Sequence, residues 1–176
     1  MIAVVGTIVV DVPAHPVNRM PERGGLEAVE WIDLYVGGAV ANTGVALSRL
    51  GVPVGTVGCV GKDSVGRIVM EELSGWADGL WIHEDETRST SATLVLVHPD
   101  GERTFISAVG ANAGLTEEHL PWEELARAGA RGIHLGYALL LPGLDGAPIA
   151  RTLKRARDLG LLVSLDVTCL QAASWE

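Results

Sequence analysis

The sequence has few cysteines and no paired metal-ligand spacing, which argues against a structural metal site. Cys59 and Cys169 are the only two cysteines among 176 residues, and neither belongs to a CxxC or Cys/His motif. We therefore expect both to be buried thiols. The five histidines are spread singly, without an HxxxH or HxH pair. We expect them to be surface residues or satisfied core residues rather than metal ligands.

Basic residues and long hydrophobic runs are also scarce. Thirteen Lys and Arg stand against 22 Asp and Glu, which gives a formal net charge of −9. Because the basic residues are scattered, we expect no nucleic-acid partner and no anionic membrane partner. No apolar run approaches the ~20 residues that cross a bilayer. The first residues lack the basic region and cleavage site of a signal peptide, so we expect a cytoplasmic protein.

The composition that remains is typical of a packed globular domain. Hydrophobic residues make up 48% of the chain and charged residues 20%, which argues against disorder. A chain of this length can form one domain with a sizeable core, or one domain with a small appendage.

Strand and helix patterns alternate along most of the chain. Runs of β-branched or apolar residues predict buried strands at residues 2–10, 52–61, 131–137 and 161–167. Apolar spacing predicts helices at about residues 39–50, 63–76 and 148–159, with Asp63 as the N-cap of the second. The first helix is expected to bury a stripe formed by Ala39, Thr43, Ala46 and Leu50. This order predicts an α/β domain with a mainly parallel sheet flanked by helices.

Two segments interrupt the alternation and predict a small β-sheet lid. Residues 26–36 alternate in part between apolar and polar, which indicates an exposed edge strand. Residues 89–107 are two strand-like runs joined by Pro99-Asp100-Gly101, a strong hairpin signal. We place the lid strands within about 12–36 and 89–108. Edge strands with one apolar face commonly pair across dimers, so a homodimer through the lid strands is a possible assembly.

Polar residues and glycines gather where the strands of the parallel sheet are expected to end. Asp11 follows the first run and Asp166 ends the last one, while Gly37-Gly38 precede the first helix. Ligands of open parallel sheets bind outside these carboxyl ends. Asp11 is either a strand-exit residue that caps its own turn or an acceptor for substrate hydroxyls.

Asn42 has two interpretations as well. It either bonds backbone groups at the start of its helix, or it offers an amide donor and acceptor to a polyol. The two glycines favour a ligand there, because they remove side chains in front of a helix N-terminus.

Common nucleotide and hydrolase motifs are missing. No GxGxxG follows the first strand, and no Ser stands in GxSxG. The segment TVGCVGKDS is similar to a P-loop, but Thr56 replaces its first Gly and Asp63 replaces its Ser or Thr.

Four segments, in order, resemble the ribokinase-like, or PfkB-type, carbohydrate kinase family. They are VVGTIVVD, GGAVANTGVALSRLGVPVGTVGCVGKDSVG, GERTF and GANAGLT. The resemblance implies an α/β domain with a small β-sheet lid, and a sugar or nucleoside held between them. It also implies which residues touch the substrate: Asp11 and Asn42 at its hydroxyls, the Gly37-Gly38 backbone against it, and Thr93 and Phe105 of the lid above it.

The sequence departs from the family pattern at several positions. SLDVT resembles the family's D.N.R segment and would place Asp166 on the phosphate side, but Thr168 and Leu170 stand where the family has Asn and Arg. Ala39 and Val9 replace the Lys and Asn that ribokinases often carry, which disfavours ribose as the substrate.

The family's GAGD-like turn, with its catalytic Asp, occurs nowhere in these 176 residues. We therefore expect no catalytic residue in this chain. By resemblance it would supply the substrate-binding and lid half of a kinase that uses ATP and Mg²⁺, without the ATP-binding half. Two alternatives remain: a non-catalytic sugar-binding or oligomerising module, and an unrelated α/β nucleotide-binding domain in which Asp11 and Asn42 are structural.

Overall fold

A computed structural model describes residues 1–168 of the chain. A five-stranded parallel sheet, in the order β10-β9-β1-β5-β6, forms its centre. The strands are β1 Ile2–Gly6, β5 Val54–Gly61, β6 Gly79–Asp85, β9 Gly132–Ala138 and β10 Leu162–Val167. All eight residues of β5 are buried, as expected for a central parallel strand that is covered on both faces.

A second, smaller sheet lies beside the parallel one, in the order β3-β2-β7-β8, with β4 also paired to β2. Its strands are β2 Val9–His15, β3 Trp31–Ile32, β4 Tyr35–Gly37, β7 Ala92–Val97 and β8 Arg103–Ala108. The hairpin predicted at residues 89–107 is confirmed as the antiparallel pair of β7 and β8. The sheet begins at Val9 rather than at about residue 12, and residues 16–30 contain no strand.

Helices cover both faces of the parallel sheet, so the predicted fold class is confirmed. They are α1 Gly38–Arg49, α2 Ser64–Ser74, α3 Trp122–Arg127 and α4 Ala147–Asp158, with short 3₁₀ helices at Gly110–Gly114 and Glu117–His119. One hydrophobic cluster contains Val40 of α1 with Val69 and Leu73 of α2. A second cluster contains Leu125 of α3 and Ala156 of α4. Among the described residues, no helix has the length and apolar character needed to cross a membrane.

The first predicted strand is in fact two strands that belong to different sheets. β1 ends at Gly6 and β2 begins at Val9, so the chain leaves the parallel sheet at Thr7 and Ile8. The Ile8 N–H donates to Asn112 Oδ1 at 3.0 Å, and the Ile8 carbonyl accepts from Asn112 Nδ2 at 3.0 Å. Both backbone groups of Ile8 are thus satisfied by one side chain, so no strand neighbour is needed there.

The buried face of α1 differs from the predicted stripe. Ala39 of that stripe is buried, but Ala46 and Leu50 are exposed, and Ala41 and Gly44 are buried instead. Gly44 is required on this face because a Cβ at that position would lie 2.4 Å from the Trp76 ring. α1 therefore packs through Gly44 against Trp76, which follows α2 in the chain. The spacing of apolar residues does not predict a contact made by a glycine.

The sequence patterns also missed two elements and misjudged a third. β6 and α3 were not predicted, because β6 carries polar residues along its second half and α3 has only six residues, too few for a helical period to show. β10 was predicted to be buried, yet Leu162 is 74% exposed. The strand lies at the end of the sheet order, so within the described residues only β9 pairs with it.

Replacing Asn112 by Ala should destabilise the fold. The change removes two hydrogen bonds and leaves the N–H and C=O of buried Ile8 without partners, which should cost about 2–4 kcal/mol of unfolding free energy. Urea unfolding followed by circular dichroism measures this loss. The matched control Asn18→Ala alters an exposed Asn and should stay within about 0.5 kcal/mol of the parent chain.

Candidate functional site

Two polar contacts, one buried and one partly buried, fix the second sheet to the parallel one. The first is the Asn112 contact at Ile8, where the chain enters β2. The second is at Thr90, just before the chain enters β7: Asp63 Oδ2 accepts from the Thr90 N–H at 2.8 Å, and Asp63 Oδ1 accepts from the Thr90 hydroxyl at 2.8 Å. Asp63 also caps α2, as predicted, by accepting from the Gly66 N–H at 2.7 Å. Although burial acts to raise it, these bonds hold the pKa of the Asp63 carboxyl below its usual value.

Asp85 orders the turn that precedes this second contact. Its Oδ1 accepts from the Thr87 hydroxyl at 2.7 Å and from the N–H groups of Thr87 and Arg88, and its Oδ2 pairs with the Arg88 guanidinium at 2.7 Å. Donation by Thr87, and then by Arg88, holds the pKa of the Asp85 carboxyl well below its usual range. Asp63 and Asp85 therefore have structural roles, and the segment GKDSVG belongs to the junction between the sheets.

Asp11 lies in β2, not at the end of a core strand as predicted. The pairing of β2 with β4 aligns Val9 with Gly37 and Asp11 with Tyr35. As a result, the carboxylate stands over Gly37: a Cβ on Gly37 would lie 2.6 Å from Asp11 Oδ2. Within residues 1–168 no group donates a hydrogen bond to this carboxylate, and burial raises its pKa.

Gly38 begins α1 against the chain's own backbone. Its φ is +83°, and a Cβ there would lie 2.5 Å from the Thr7 carbonyl oxygen, so only glycine fits without strain. Thr7 supplies the cap that Gly37 lacks: its hydroxyl accepts from the Ala39 N–H at 3.2 Å, and its carbonyl accepts from the Val40 N–H at 3.1 Å. The two glycines are thus explained by Asp11 and Thr7, while their contact with a substrate stays a prediction.

Asn42 lies one turn after Gly38, on the same side of α1. It is exposed, and within the described residues its amide makes no hydrogen bond. Asn42 therefore does not bond the backbone at the helix start, which was the structural interpretation of this residue, and its amide is available to a ligand.

Thr93 is brought into line with Asp11 by the strand register. Asp11 pairs with Thr93 across β2 and β7, and Thr93 pairs with Ser107 across β7 and β8. Paired residues share one face of a sheet, so these three polar side chains form a row. The hydroxyls of Thr93 and Ser107 are 2.8 Å apart. Phe105 lies on the same face two residues from Ser107 and is 56% exposed.

Asp166 is near the carboxyl end of β10, at the end of the parallel sheet where α1 begins. Its Oδ1 accepts from the Tyr137 N–H at 2.6 Å, and this oxygen would lie 3.3 Å from a Cβ on Gly136. That Cβ would also lie 2.5 Å from the Ala39 Cβ, in the first turn of α1. We call the junction of β2, the start of α1 and the carboxyl ends of β1 and β9 the candidate site. Asp166 borders it, with one carboxylate oxygen bound to the backbone.

A cleft beside α3 and α4 contains none of the residues of the candidate site. This open cleft of about 520 Å³ is lined by Trp81, His119, Trp122 and Arg155, among others. His119 lies against His83, with ring centroids 4.1 Å apart, a pairing that sequence spacing did not predict. No group of three His, Cys, Asp or Glu side chains within residues 1–168 could hold a metal ion.

The cysteine prediction is confirmed for Cys59. This thiol is buried in β5, and burial raises its pKa to about 11, so it is an unreactive thiol at neutral pH. Cys169 lies outside the described residues.

The model of one family, described as pfkB family carbohydrate kinase, matches residues 1–172. The chain belongs to this family. Ribokinase from Arabidopsis thaliana is 28% identical over 171 residues, which are 94% of this chain and 43% of that protein. Fructokinase-1 from Zea mays is 33% identical over 143 residues, which are 79% of this chain and 43% of the fructokinase.

Solved structures agree with the pfkB fold. Ribokinase from Giardia lamblia matches with a TM-score of 0.81 at 18% identity, covering 99% of this chain and 52% of that chain. Arabidopsis thaliana ribokinase complexed with ribose and ATP matches with a TM-score of 0.78 at 22% identity, covering 96% and 54%. The chain thus spans about half the length of the pfkB relatives it matches.

Asp11→Asn should make the protein more stable at pH 7. Burial raises the pKa of the Asp11 carboxyl above its usual value of 3.8, so the folded state favours the protonated form and the ionised form costs stability. The advantage of Asp11→Asn should shrink as the pH falls from 7 towards 4, because the parent carboxyl then becomes protonated. Urea unfolding across this pH range measures the difference.

The control for this comparison is Asp100→Asn, at the exposed turn of the β7–β8 hairpin. It should change the unfolding free energy by less than about 0.5 kcal/mol at pH 7. A loss of stability in Asp11→Asn at pH 7 would show that the native carboxylate has donors that favour its charged form.

Proposed function

We propose that the complete protein transfers a phosphoryl group from ATP to a hydroxyl of a sugar or nucleoside, and that residues 1–168 hold the substrate. The observation that carries this proposal is the Asp11 carboxylate over Gly37: it is partly buried, has no donor within the described residues, and has a raised pKa. The hydroxyls of a substrate would supply the hydrogen-bond donors that this partly buried carboxylate lacks.

The neighbouring residues suit a polyol. A carboxylate accepts hydrogen bonds from two hydroxyls at once, while the Asn42 amide can both donate and accept. The row of Thr93 and Ser107 adds hydroxyl groups on the same face of the second sheet as Asp11. Phe105, exposed on that face, offers an apolar surface for the carbon side of a sugar or for a base.

In this proposal the second sheet acts as the lid. It joins the parallel sheet through the hydrogen bonds at Ile8 and Thr90, and these set its position at the start of α1. Covering the substrate excludes water, which favours transfer to the sugar hydroxyl over hydrolysis.

ATP and Mg²⁺ are proposed as co-substrate and cofactor of the complete enzyme. ATP supplies the phosphoryl group, and Mg²⁺ offsets its charge. The support comes from relatives: one ribokinase structure contains ribose and ATP, and a structure from Escherichia coli contains ATP and Mg²⁺. Residues 1–168 form no cluster suited to a metal, and Asp166 is bonded to Tyr137, so we assign ATP and Mg²⁺ to none of them.

The substrate is proposed only as a class. The similar proteins include a ribokinase, fructokinases and an aminoimidazole riboside kinase, so both sugars and nucleosides belong on the test panel. Ala39 and Val9, in place of the Lys and Asn of many ribokinases, favour substrates other than ribose.

An assay of the full-length gene product tests the proposal. ADP release is measured with ATP, Mg²⁺ and a panel of sugars and nucleosides. With the preferred substrate, Asp11→Asn and Asn42→Ala should each raise KM about 10- to 100-fold, because each removes part of a polar pair with a hydroxyl. Asp100→Asn, on the same sheet but at the hairpin turn, should leave KM unchanged. Absence of turnover with every compound, or equal KM values for Asp11→Asn and Asp100→Asn, would contradict the proposal.

We also propose that a second copy of the chain covers the outer face of the second sheet. Leu94 and Ile106 are paired across β7 and β8, and they are 49% and 51% exposed. Their pairing places them on one face, opposite to that of Thr93. This face supports the oligomerising role as an alternative or an addition to catalysis.

The double variant Leu94→Lys, Ile106→Lys should convert a dimer into a monomer, because four lysines would then meet across a two-fold axis. Size-exclusion chromatography with light scattering measures the mass. Leu50→Lys, at the exposed end of α1, is the control and should remain dimeric. A monomeric parent protein would contradict the pairing and leave the kinase proposal standing.

A further inference from the structure

Two bulky residues at the carboxyl end of β9, Tyr137 within the strand and Leu139 just after it, adopt a backbone conformation that glycine normally occupies. The φ angles are 59° at Tyr137 and 79° at Leu139, and no other non-glycine residue within 1–168 has a positive φ. Side chains of this size are rarely found there, and such strain persists only where surrounding contacts enforce it.

Each strained residue is held by a carboxylate. Asp166 Oδ1 accepts from the Tyr137 N–H at 2.6 Å. Asp145 accepts from the Leu139 N–H at 2.8 Å through Oδ1, and from the Leu141 N–H at 3.0 Å through Oδ2. The segment of residues 137–145 is therefore fixed at both ends by acids, one of which comes from a different strand.

This segment borders the candidate site. Tyr137 directly follows Gly136, whose Cβ position would be 2.5 Å from the Ala39 Cβ in the first turn of α1. The Gly136 carbonyl oxygen would in turn lie 2.5 Å from a Cβ on Gly6, at the end of β1. Because Gly136 packs this closely against Ala39 and Gly6, a change in the direction of the chain at Tyr137 changes the boundary of the site.

We propose that Asp166 is a positioning residue: it holds the Tyr137 amide in the left-handed conformation, and residues 137–145 thereby form one wall of the substrate site. This inference rests on the proposed kinase function. It assigns to Asp166 a role towards the protein's own backbone in place of the phosphate contact that the sequence comparison suggested. The group required at position 166 is accordingly a hydrogen-bond acceptor, not a negative charge.

Substitutions at Asp166 separate these two roles. In the full-length protein, Asp166→Ala should raise KM for the sugar or nucleoside about tenfold or more, with kcat changed less than about threefold. Asp166→Asn keeps an acceptor oxygen and should retain KM within about threefold of the parent. The control Asp158→Ala, at the exposed end of α4, should change neither constant. An equal rise in KM for Asp166→Asn and Asp166→Ala would show that the negative charge is needed. An unchanged KM in Asp166→Ala would show that the contact with Tyr137 does not affect substrate binding. Either result overturns the inference.

A stability comparison tests the same contact without any activity. Tyr137→Gly and Tyr137→Ala both remove the ring, but only Gly accepts a φ near 59° without strain. The urea midpoint of Tyr137→Gly should therefore exceed that of Tyr137→Ala, the reverse of the usual order. In an Asp166→Ala background this advantage should disappear, because position 137 is then free to relax.

The two experiments distinguish the possible failures. If the Gly advantage persists without Asp166, or is absent with it, the inference is overturned even where the kinase is active. If the parent protein phosphorylates nothing while the Gly advantage depends on Asp166, the proposed function fails and the clamp on Tyr137 stands as a structural feature, without its role at a substrate.

Discussion

The double hydrogen bond between Asn112 and Ile8 is the contact on which the arrangement of the two sheets depends. It joins residues 104 positions apart in the chain, and it satisfies both backbone groups of Ile8, one of the two residues that stand between β1 and β2. Without it, the β-branched run from Ile2 to Val10 has no reason to change sheets. Because an unpaired buried backbone group is costly, this side chain converts a continuous strand pattern into two strands.

The position of Asp11 follows from that break. Once β2 belongs to the second sheet, its pairing with β4 places the carboxylate over Gly37, and its pairing with β7 places Thr93 beside it. A register shift of one residue would turn Asp11 to the opposite face of the sheet. The chemistry of the candidate site is therefore fixed by strand register, and the register is fixed by contacts such as Asn112 that lie outside the site.

Local patterns predicted the features that local interactions determine. The buried strands β5 and β9, the cap at Asp63 and the hairpin at Pro99-Asp100-Gly101 follow from short-range sequence patterns, and the structure contains them. Features that depend on distant partners were missed: the Thr7 cap of α1 and the break at Ile8. Ordered motifs did identify Asp11 and Asn42 as candidates, since a family resemblance carries long-range information that periodicity lacks, but they could not show that Asp11 comes from the second sheet.

The acidic residues of the described chain divide by what their carboxylates already bind. Asp63, Asp85, Asp145 and Asp166 each accept from backbone N–H groups, often with hydroxyls added. Their hydrogen bonds hold turns and strand ends in place. Asp11 differs because it is partly buried next to a helix start and receives no donor within residues 1–168. A folded protein gains nothing in stability from such a carboxylate, and this is why we propose that its hydrogen-bond donors arrive with a ligand.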